Sequence, residues 1–304
     1  MKLLRRFKSF IIVYLVLLPA LVKAEAPPKR IVSLAPSITE SIYQLGAEDT
    51  LIAVTSYCNY PPQAKTKEII GTLTNPNIEH IYSLSPDLVL AVNGINRSQT
   101  IEKLKSLGLK VVVFDDTNSF DDITKSFIQL GELTGREEKA RSIVEEVRRE
   151  VELIFSKFKN LTPVRVFWEV GAKPLVSAGA ESFADEFIRY SGGINIFADT
   201  SIRYPRVNRE EVLNRNPEVI ILVTMGDVTE KEKLYWEKFK SLEAVKNNRI
   251  YIIDADKVCR PTPVSFLIGL KEVVRLLHPE VFRGDFVTTE KFFKPQRTQR
   301  KMIP

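Results

Sequence analysis

Residues 77–92 read NIEHIYSLSPDLVLAV, and residues 208–223 read NREEVLNRNPEVIILV. Aligned without gaps, both stretches begin with asparagine, carry a glutamate two positions later and continue through a Pro-acid pair into an apolar run. Asparagine is a favoured helix N-cap, and a run of Val, Ile and Leu is typical of a buried strand. Many α/β proteins contain such units, but the matched asparagines and glutamates favour a true repeat. The sequence therefore predicts two related lobes.

Further short strands and helices surround these two units. Helices are predicted at Ser37–Gln44 and Ser98–Ser106, because each is followed two residues later by a glycine that can end it. Runs of Val, Ile and Leu predict strands at Ile31–Leu34, Leu51–Thr55, Leu88–Val92, Lys110–Phe114, Val164–Trp168, Val219–Val223 and Ile250–Ile253. Alternation of this kind indicates an α/β fold with two Rossmann-like lobes, each built on a mostly parallel sheet.

A different pattern separates the two halves. Residues 120–159 contain no convincing strand, and Arg136–Phe158 is rich in charged residues with apolar residues at helical spacing. We expect one long helix to connect the lobes. The predicted organisation is a signal peptide at 1–24, an N-terminal lobe at 25–120, a connecting helical segment at 121–162, a C-terminal lobe at 163–284 and a basic tail at 285–304.

The first 24 residues have the features of a secretory signal peptide. Four basic residues within the first eight positions precede an apolar run at Phe10–Leu18, and Val22 and Ala24 supply small residues for cleavage. A retained membrane anchor is the alternative, but the run is well short of the roughly 20 residues that span a bilayer. We therefore expect export to the periplasm and a mature chain that begins at Glu25.

The net charge of +6 is concentrated at the two ends of the chain. Residues 25–290 hold 34 basic and 38 acidic residues. Proteins that bind nucleic acid carry a basic surface on the folded domain, so nucleic acid is not an expected partner. The basic tail is interpreted as a solvated end, with contact to a membrane surface as the second interpretation.

No catalytic or metal-binding constellation is recognisable in the sequence. The two histidines, His80 and His278, lack metal-ligand spacing to another histidine or to a cysteine. A nucleophile elbow, an HExxH motif, a phosphate-binding loop and a dinucleotide-binding glycine motif are all missing from the sequence. The sequence thus predicts no catalytic residue, no bound metal and no cofactor. A periplasmic enzyme on the same scaffold is the alternative from another functional class.

The loops that follow the strands favour a binding cleft. In open α/β sheets, ligands bind beyond the carboxyl ends of the strands, and the loops at those positions here are rich in aromatic, proline and amide residues. Tyr57 and Tyr204 lie in two of them, and each offers an apolar ring with a polar hydroxyl. We expect both tyrosines to line the cleft, with packing in a core as the alternative.

Five segments together resemble one family. They are RIVSLAPSITE at 30–40, TSYCNYPPQA at 55–64, SPDLVLA at 85–91, GGINIF at 192–197 and VNREEVL at 207–213. In this order they resemble the periplasmic solute-binding proteins for cobalamin, iron siderophores and haem, and among these the cobalamin-binding members. The resemblance implies a monomeric, non-enzymatic protein with limited hinge motion, which delivers a small molecule to an inner-membrane ABC permease and its ATPase.

The resemblance also assigns individual positions. It implies that Glu79 and Glu210, the matched glutamates of the repeat, dock onto arginines of the permease. The alternative is that both are ordinary first-turn acids, which the helix dipole favours. The predicted ligand-binding residues, some on pocket positions of the relatives and some in the loops that face the cleft, are Ser37, Tyr57, Cys58, Leu73, Val92, Asn93, Val170, Tyr204, Asp256, Cys259 and Arg260.

The sequence departs from the cobalamin-binding pattern in its aromatic residues. Tyr204 stands in place of a tryptophan, and other positions of large aromatic residues hold aliphatic ones here, at Leu73, Val92, Val170 and Val176. A corrinoid is the main expectation, because a corrin has a broad apolar face that aliphatic walls can still accept. An iron siderophore or haem is the alternative, and the nearest candidate donors for a siderophore are Arg203, Arg206 and Arg260.

The two cysteines have three alternative roles. Cys58 and Cys259 fall in the pocket loops of different lobes and are expected to face each other across the cleft. They could be free thiols, a disulfide that clamps the cleft, or soft ligands to a metal in the bound solute. Free thiols are the favoured interpretation, because a permanent disulfide would oppose opening.

Overall fold

The computed structural model describes residues 26–225 and 228–280. The predicted signal peptide and basic tail lie outside the described residues, and the domain boundaries drawn from the sequence stay predictions. Within the part of the chain that is described, no helix is long and apolar enough to cross a membrane.

The first lobe is an α/β unit with a five-stranded parallel sheet. Its elements are β1 (Ile31–Ser33), α1 (Pro36–Leu45), β2 (Leu51–Val54), β3 (Glu68–Ile69), α2 (Ile78–Ser83), β4 (Leu88–Val92), α3 (Ser98–Ser106) and β5 (Val111–Phe114). The strand order is β3-β2-β1-β4-β5, and every neighbouring pair is parallel. The strands predicted from the sequence in this half are confirmed. All five residues of β4 are apolar, and this allows the strand to be buried on both faces, as is usual in parallel sheets.

Two helices, rather than one, connect the lobes. The long helix predicted from the sequence is α5 (Glu137–Phe158), and a shorter helix, α4 (Phe120–Leu133), precedes it. The two helices pack against each other at Gly131, where an added Cβ would stand 2.5 Å from the Cβ of Ala140. A side chain at position 131 would therefore push the helices apart.

The second lobe carries a mixed sheet. Its elements are β6 (Val164–Ala172), β7 (Leu175–Ser177), α6 (Phe183–Tyr190), β8 (Gly193–Asn195), α7 (Arg209–Arg215), β9 (Val219–Val223), α8 (Glu230–Trp236), α9 (Glu243–Lys246), β10 (Ile250–Ile253), α10 (Ala255–Val258) and α11 (Pro263–Leu277). The strand order is β10-β9-β6-β7, and β8 also pairs with β6. Only the β6–β7 pair is antiparallel among these strands. The mostly parallel sheet predicted for this lobe is confirmed.

The repeat seen in the sequence is also a structural repeat. Asn77 caps α2 by accepting a hydrogen bond from the His80 amide at 2.9 Å, and Asn208 caps α7 by accepting one from the Glu211 amide at 2.8 Å. A side-chain cap satisfies an amide that the first helical turn leaves without a partner. Matched asparagines therefore start matched helices.

The repeat extends to the strand that each unit pairs with. The Asp87 carboxylate accepts the amide of Arg30 at 2.9 Å, next to the start of β1. The Glu218 carboxylate accepts the amide of Arg165 at 2.9 Å, at the start of β6. The acid of each Pro-acid pair thus holds the first strand of its own lobe in register.

One hydrophobic core runs through both lobes and the connecting helices. The Phe266 ring of α11 stacks on Phe120 of α4 and on Phe187 of α6, with ring centroids 4.7 Å apart in both pairs. Phe187 in turn stacks on Trp168 of β6 at 6.1 Å. Aromatic stacking of this kind adds to the free energy gained by burial. The shared core fixes the two sheets around one cleft.

Candidate ligand-binding cleft

A cavity of about 340 Å³ lies between the lobes, where the carboxyl ends of strands in both sheets face each other. Ligand sites in open α/β folds are expected at this place. The cavity is lined by Ser37, Ile38, Ser41, Val92, Ile95, Phe114, Asp115, Asp116, Thr117, Ile123, Ser126, Phe127, Leu130, Trp168, Val170, Phe183, Ala184, Tyr204, Met225, Val258, Cys259 and Pro261.

The cavity walls are more aromatic than the sequence suggested. Phe114, Phe127, Trp168 and Phe183 all contribute, in addition to Tyr204. Sequence reasoning missed these four because it searched only the loops after the strands, whereas Phe127 lies on α4, Phe183 on α6, and Phe114 and Trp168 in strands β5 and β6. The apolar spacing of α4 was a signal that could have revealed Phe127. These aromatic side chains thus partly replace the ring area that the aliphatic residues at the pocket positions lack.

Five of the predicted binding residues line the cavity. Ser37 lies in the first turn of α1, Val92 ends β4, and Val170 belongs to β6. Tyr204 and Cys259 come from two loops of the second lobe. Ser37, Tyr204 and Cys259 thus bring polar groups to a largely apolar cavity, an arrangement common to small-molecule sites.

Other predicted residues lie outside this lining. Tyr57 is 57% exposed, Leu73 is only partly buried, and the Asn93 amide points to the Asp115 carboxylate at 3.4 Å. Asp256 is exposed and is paired with Arg260. Contacts from Tyr57, Leu73, Asn93, Asp256 and Arg260 to a ligand therefore stay predictions.

The structure corrects the role predicted for Cys58. Its side chain is 2% exposed in the core of the first lobe, and its Sγ lies 3.3 Å from Oγ1 of Thr55. It does not line the cavity, because the loop turns its small apolar side chain inward. Cys58 and Cys259 are both free, so the disulfide alternative is wrong.

Cys259 is open to the cleft beside a second sulfur atom. Its Sγ lies 3.6 Å from Sδ of Met225. The surrounding protein desolvates the thiol, and with the nearby Asp256 and Asp254 carboxylates this raises the pKa of Cys259 to about 11. The thiol is therefore protonated at neutral pH.

Arg260 links the second lobe to the first. Its guanidinium pairs with Asp256 at 2.9 Å, donates to Oδ1 of Asn59 at 3.2 Å and lies 3.9 Å from the Glu40 carboxylate. The same group stacks over the Tyr60 ring, with 4.5 Å between Cζ and the ring centroid. Arginine suits such a site because it combines several donors with a planar stacking face. Asn59, Tyr60 and Glu40 belong to the first lobe.

A buried polar network continues from this arginine. Oε1 of Glu40 accepts hydrogen bonds from the Thr262 hydroxyl and the Gln44 amide, both at 2.9 Å, and from the Ser265 hydroxyl. Burial raises the pKa of the Glu40 carboxyl. The network joins α1 of the first lobe to the start of α11 in the second, so the lobes share polar as well as apolar contacts.

A second ionic bridge crosses the cleft. Nη1 of Arg203 in the second lobe lies 2.7 Å from Oδ2 of Asp116 in the first lobe. Both side chains are partly exposed, and Asp116 also lines the cavity.

Within residues 26–225 and 228–280, no group of three or more His, Cys, Asp or Glu is placed to hold a metal ion.

Comparison with known proteins places this arrangement in a family. The model of the periplasmic binding protein family matches residues 31–257. The chain belongs to this family. The vitamin B12-binding protein of Vibrio parahaemolyticus is 32% identical over 244 residues, which cover 80% of this chain and 88% of that relative. The family and the two-lobed fold predicted from the sequence are therefore confirmed.

Two solved structures of periplasmic binding proteins resemble the chain over nearly their whole length. The periplasmic vitamin B12-binding protein of Vibrio cholerae has a TM-score of 0.72 and 31% identity, and the match covers 83% of this chain and 98% of that one. A possible iron-binding periplasmic solute-binding protein from Staphylococcus epidermidis has a TM-score of 0.74 and 30% identity, with 83% and 99% covered. The fold alone thus does not separate ligand classes.

Each lobe carries one of the matched glutamates on its surface, away from the cavity. Glu79 lies in the first turn of α2 and Glu210 in the first turn of α7, and both side chains are exposed. Neither forms an ion pair within the described residues. Both carboxylates are thus available to a partner, one on each lobe.

Proposed function

We propose that the chain is exported to the periplasm and binds one corrinoid molecule in the cleft, without chemical conversion, for delivery to an ABC permease and its ATPase. The observation that carries the proposal is the aromatic and aliphatic cavity between the lobes of a chain that is 32% identical to a vitamin B12-binding protein. A corrin ring has a broad apolar face, which such walls can cover.

The polar groups at the cavity also suit a corrinoid. A corrin carries amide groups at its edge, and these need hydrogen-bond acceptors when they leave water. Ser37, Ser41 and Ser126 offer hydroxyl oxygens, and Asp115 offers a carboxylate. A whole corrinoid is larger than a cavity of about 340 Å³, so we place one ring face in the cavity and the remaining groups in the cleft mouth.

Calorimetric titration of the purified mature protein with cyanocobalamin tests the proposal. We expect saturable one-to-one binding, and recovery of unmodified cyanocobalamin afterwards. Tyr204→Ala removes an aromatic wall and should weaken binding about ten-fold. Tyr82→Ala is the matched control, because Tyr82 is 53% exposed on α2 and away from the cavity. Failure to bind would contradict the corrinoid assignment, and turnover of the ligand would support an enzyme.

Delivery to the permease is tested by charge reversal. The double variant Glu79→Arg/Glu210→Arg should bind cyanocobalamin as tightly as the wild type, because neither residue lines the cavity. Corrinoid uptake by cells should fall at least ten-fold, since exposed charges guide association and orientation. Glu102→Arg/Glu152→Arg makes the same change of net charge at two other exposed positions and should transport normally. Equal uptake by both double variants would contradict the docking role.

A further inference from the structure

The charged side chains in the cavity lining are all acidic. Asp115 and Asp116 are its charged side chains, and the described residues that line it include no lysine, arginine or histidine. Arg203 pairs with Asp116 from outside the lining, so a ligand that enters the cavity meets the Asp115 carboxylate and an Asp116 carboxylate that already holds its cation. Such a surface favours neutral or cationic ligands and disfavours anionic ones, because like charges that come close in a partly desolvated site repel each other.

Two of the three arginines that the sequence places near the cleft are already paired with carboxylates of the protein, and the third, Arg206, is not among the residues that line the cavity. Arg203 is held by Asp116 at 2.7 Å, across the cleft. Arg260 is held by Asp256 at 2.9 Å, with the Glu40 carboxylate 3.9 Å away. An anionic ligand would have to displace a protein carboxylate from one of these arginines, which costs the interaction that the carboxylate already makes.

We propose that Asp116 is a specificity-determining residue, which occupies Arg203 and thereby excludes anionic metal chelates from the cleft. The excluded class includes haem, whose propionates are ionised at neutral pH, and anionic ferric siderophores. The accepted class is neutral or cationic chelates edged with amides, to which corrinoids belong. This inference rests on the proposed function, and it adds a physical reason why anionic chelates would bind less tightly than corrinoids.

The test compares cyanocobalamin and haemin as probes at low ionic strength. Asp116→Asn keeps the size of the side chain but releases Arg203, so haemin binding should tighten about ten-fold and the ratio of haemin affinity to cyanocobalamin affinity should rise. Asp49→Asn is the matched control, since Asp49 is exposed outside the cavity lining. The gain should shrink in high salt, because mobile ions screen exposed charges.

A double variant tests whether the released Arg203 causes the gain in haemin binding. Asp116→Asn/Arg203→Gln removes the released cation and should lose the gain in haemin binding, with thermal melting curves to confirm that each variant is folded. Unchanged haemin affinity in folded Asp116→Asn, or a gain that survives the loss of Arg203, overturns the proposal. A wild type that fails to bind cyanocobalamin, together with the expected haemin gain, would overturn the corrinoid function and leave this charge selection standing.

Discussion

Replacing Glu169 with glutamine is expected to raise the free energy of unfolding by about 3 kcal/mol at pH 7. Glu169 of β6 is fully buried, and burial raises the pKa of its carboxyl from about 4.5 to about 8. Its Oε2 accepts a hydrogen bond from Nε1 of Trp236 at 2.7 Å, and Oε1 has no partner among the described residues. The native state therefore holds a neutral carboxylic acid that the unfolded chain would ionise.

The gain should depend on pH in a defined direction. Between about pH 4.5 and about pH 8 the native state binds one more proton at Glu169 than the unfolded state, so the wild type loses stability as pH rises. Glutamine keeps an acceptor for Trp236 and does not titrate. The difference between variant and wild type should be near zero below pH 4.5 and reach about 5 kcal/mol above pH 8.

Urea unfolding at several pH values, followed by tryptophan fluorescence, measures this difference. Glu181→Gln is the matched control, because Glu181 is exposed in the same lobe, and it should show little difference from the wild type at any of these pH values. A Glu169→Gln variant with constant stability relative to the wild type across this range would show that Glu169 is ionised in the native state.

The second large effect concerns the polar network between the lobes. Glu40→Ala should lower the free energy of unfolding by about 3–5 kcal/mol, because it removes the shared acceptor of buried donors and a carboxylate next to the partly buried Arg260. Glu40→Gln keeps an acceptor for Thr262 and Ser265 at the same place. We expect it to stay within about 1 kcal/mol of the wild type.

Chemical unfolding followed by circular dichroism distinguishes the two variants of Glu40. A large loss in Glu40→Ala with little loss in Glu40→Gln assigns the effect to hydrogen bonding. Equal losses would assign it to the negative charge, and no loss in either would show that the network between α1 and α11 adds nothing to stability.

Sequence reasoning located the elements whose physical signal is local and strong. The asparagine caps at 77 and 208 and the apolar strands β4 and β9 are written into consecutive residues, so they were predictable. Strand β3 has two residues, and the β6–β7 pair forms antiparallel in an otherwise parallel sheet. Elements this short or exceptional depend on tertiary contacts, which no local pattern encodes.

The sequence predicted which segments surround the site, because a general rule for α/β folds places ligands beyond the strand ends. The rule that ligands bind beyond strand ends found Ser37, Tyr204 and Cys259, and the family resemblance indicated Val92; all four line the cavity. It could not show that Cys58 turns into the core, nor that Arg260 is held by Asp256, because both depend on side-chain directions set by distant residues. Residue type and loop position therefore predict which segments approach a ligand better than which atoms face it.

The contrast between the two thiols has a consequence for chemical footprinting. Cys259 stands in the cavity wall, whereas Cys58 is buried. Thiols react as thiolates, so alkylation of Cys259 is slow near neutrality and accelerates in alkaline buffer. We expect a solute seated in the cleft to shield that sulfur from the reagent. After a timed alkylation, the fraction of intact chain without the mass of the added alkyl group should therefore report the fraction of protein whose cleft is occupied. This measurement also works in a mixture where no titration could be run.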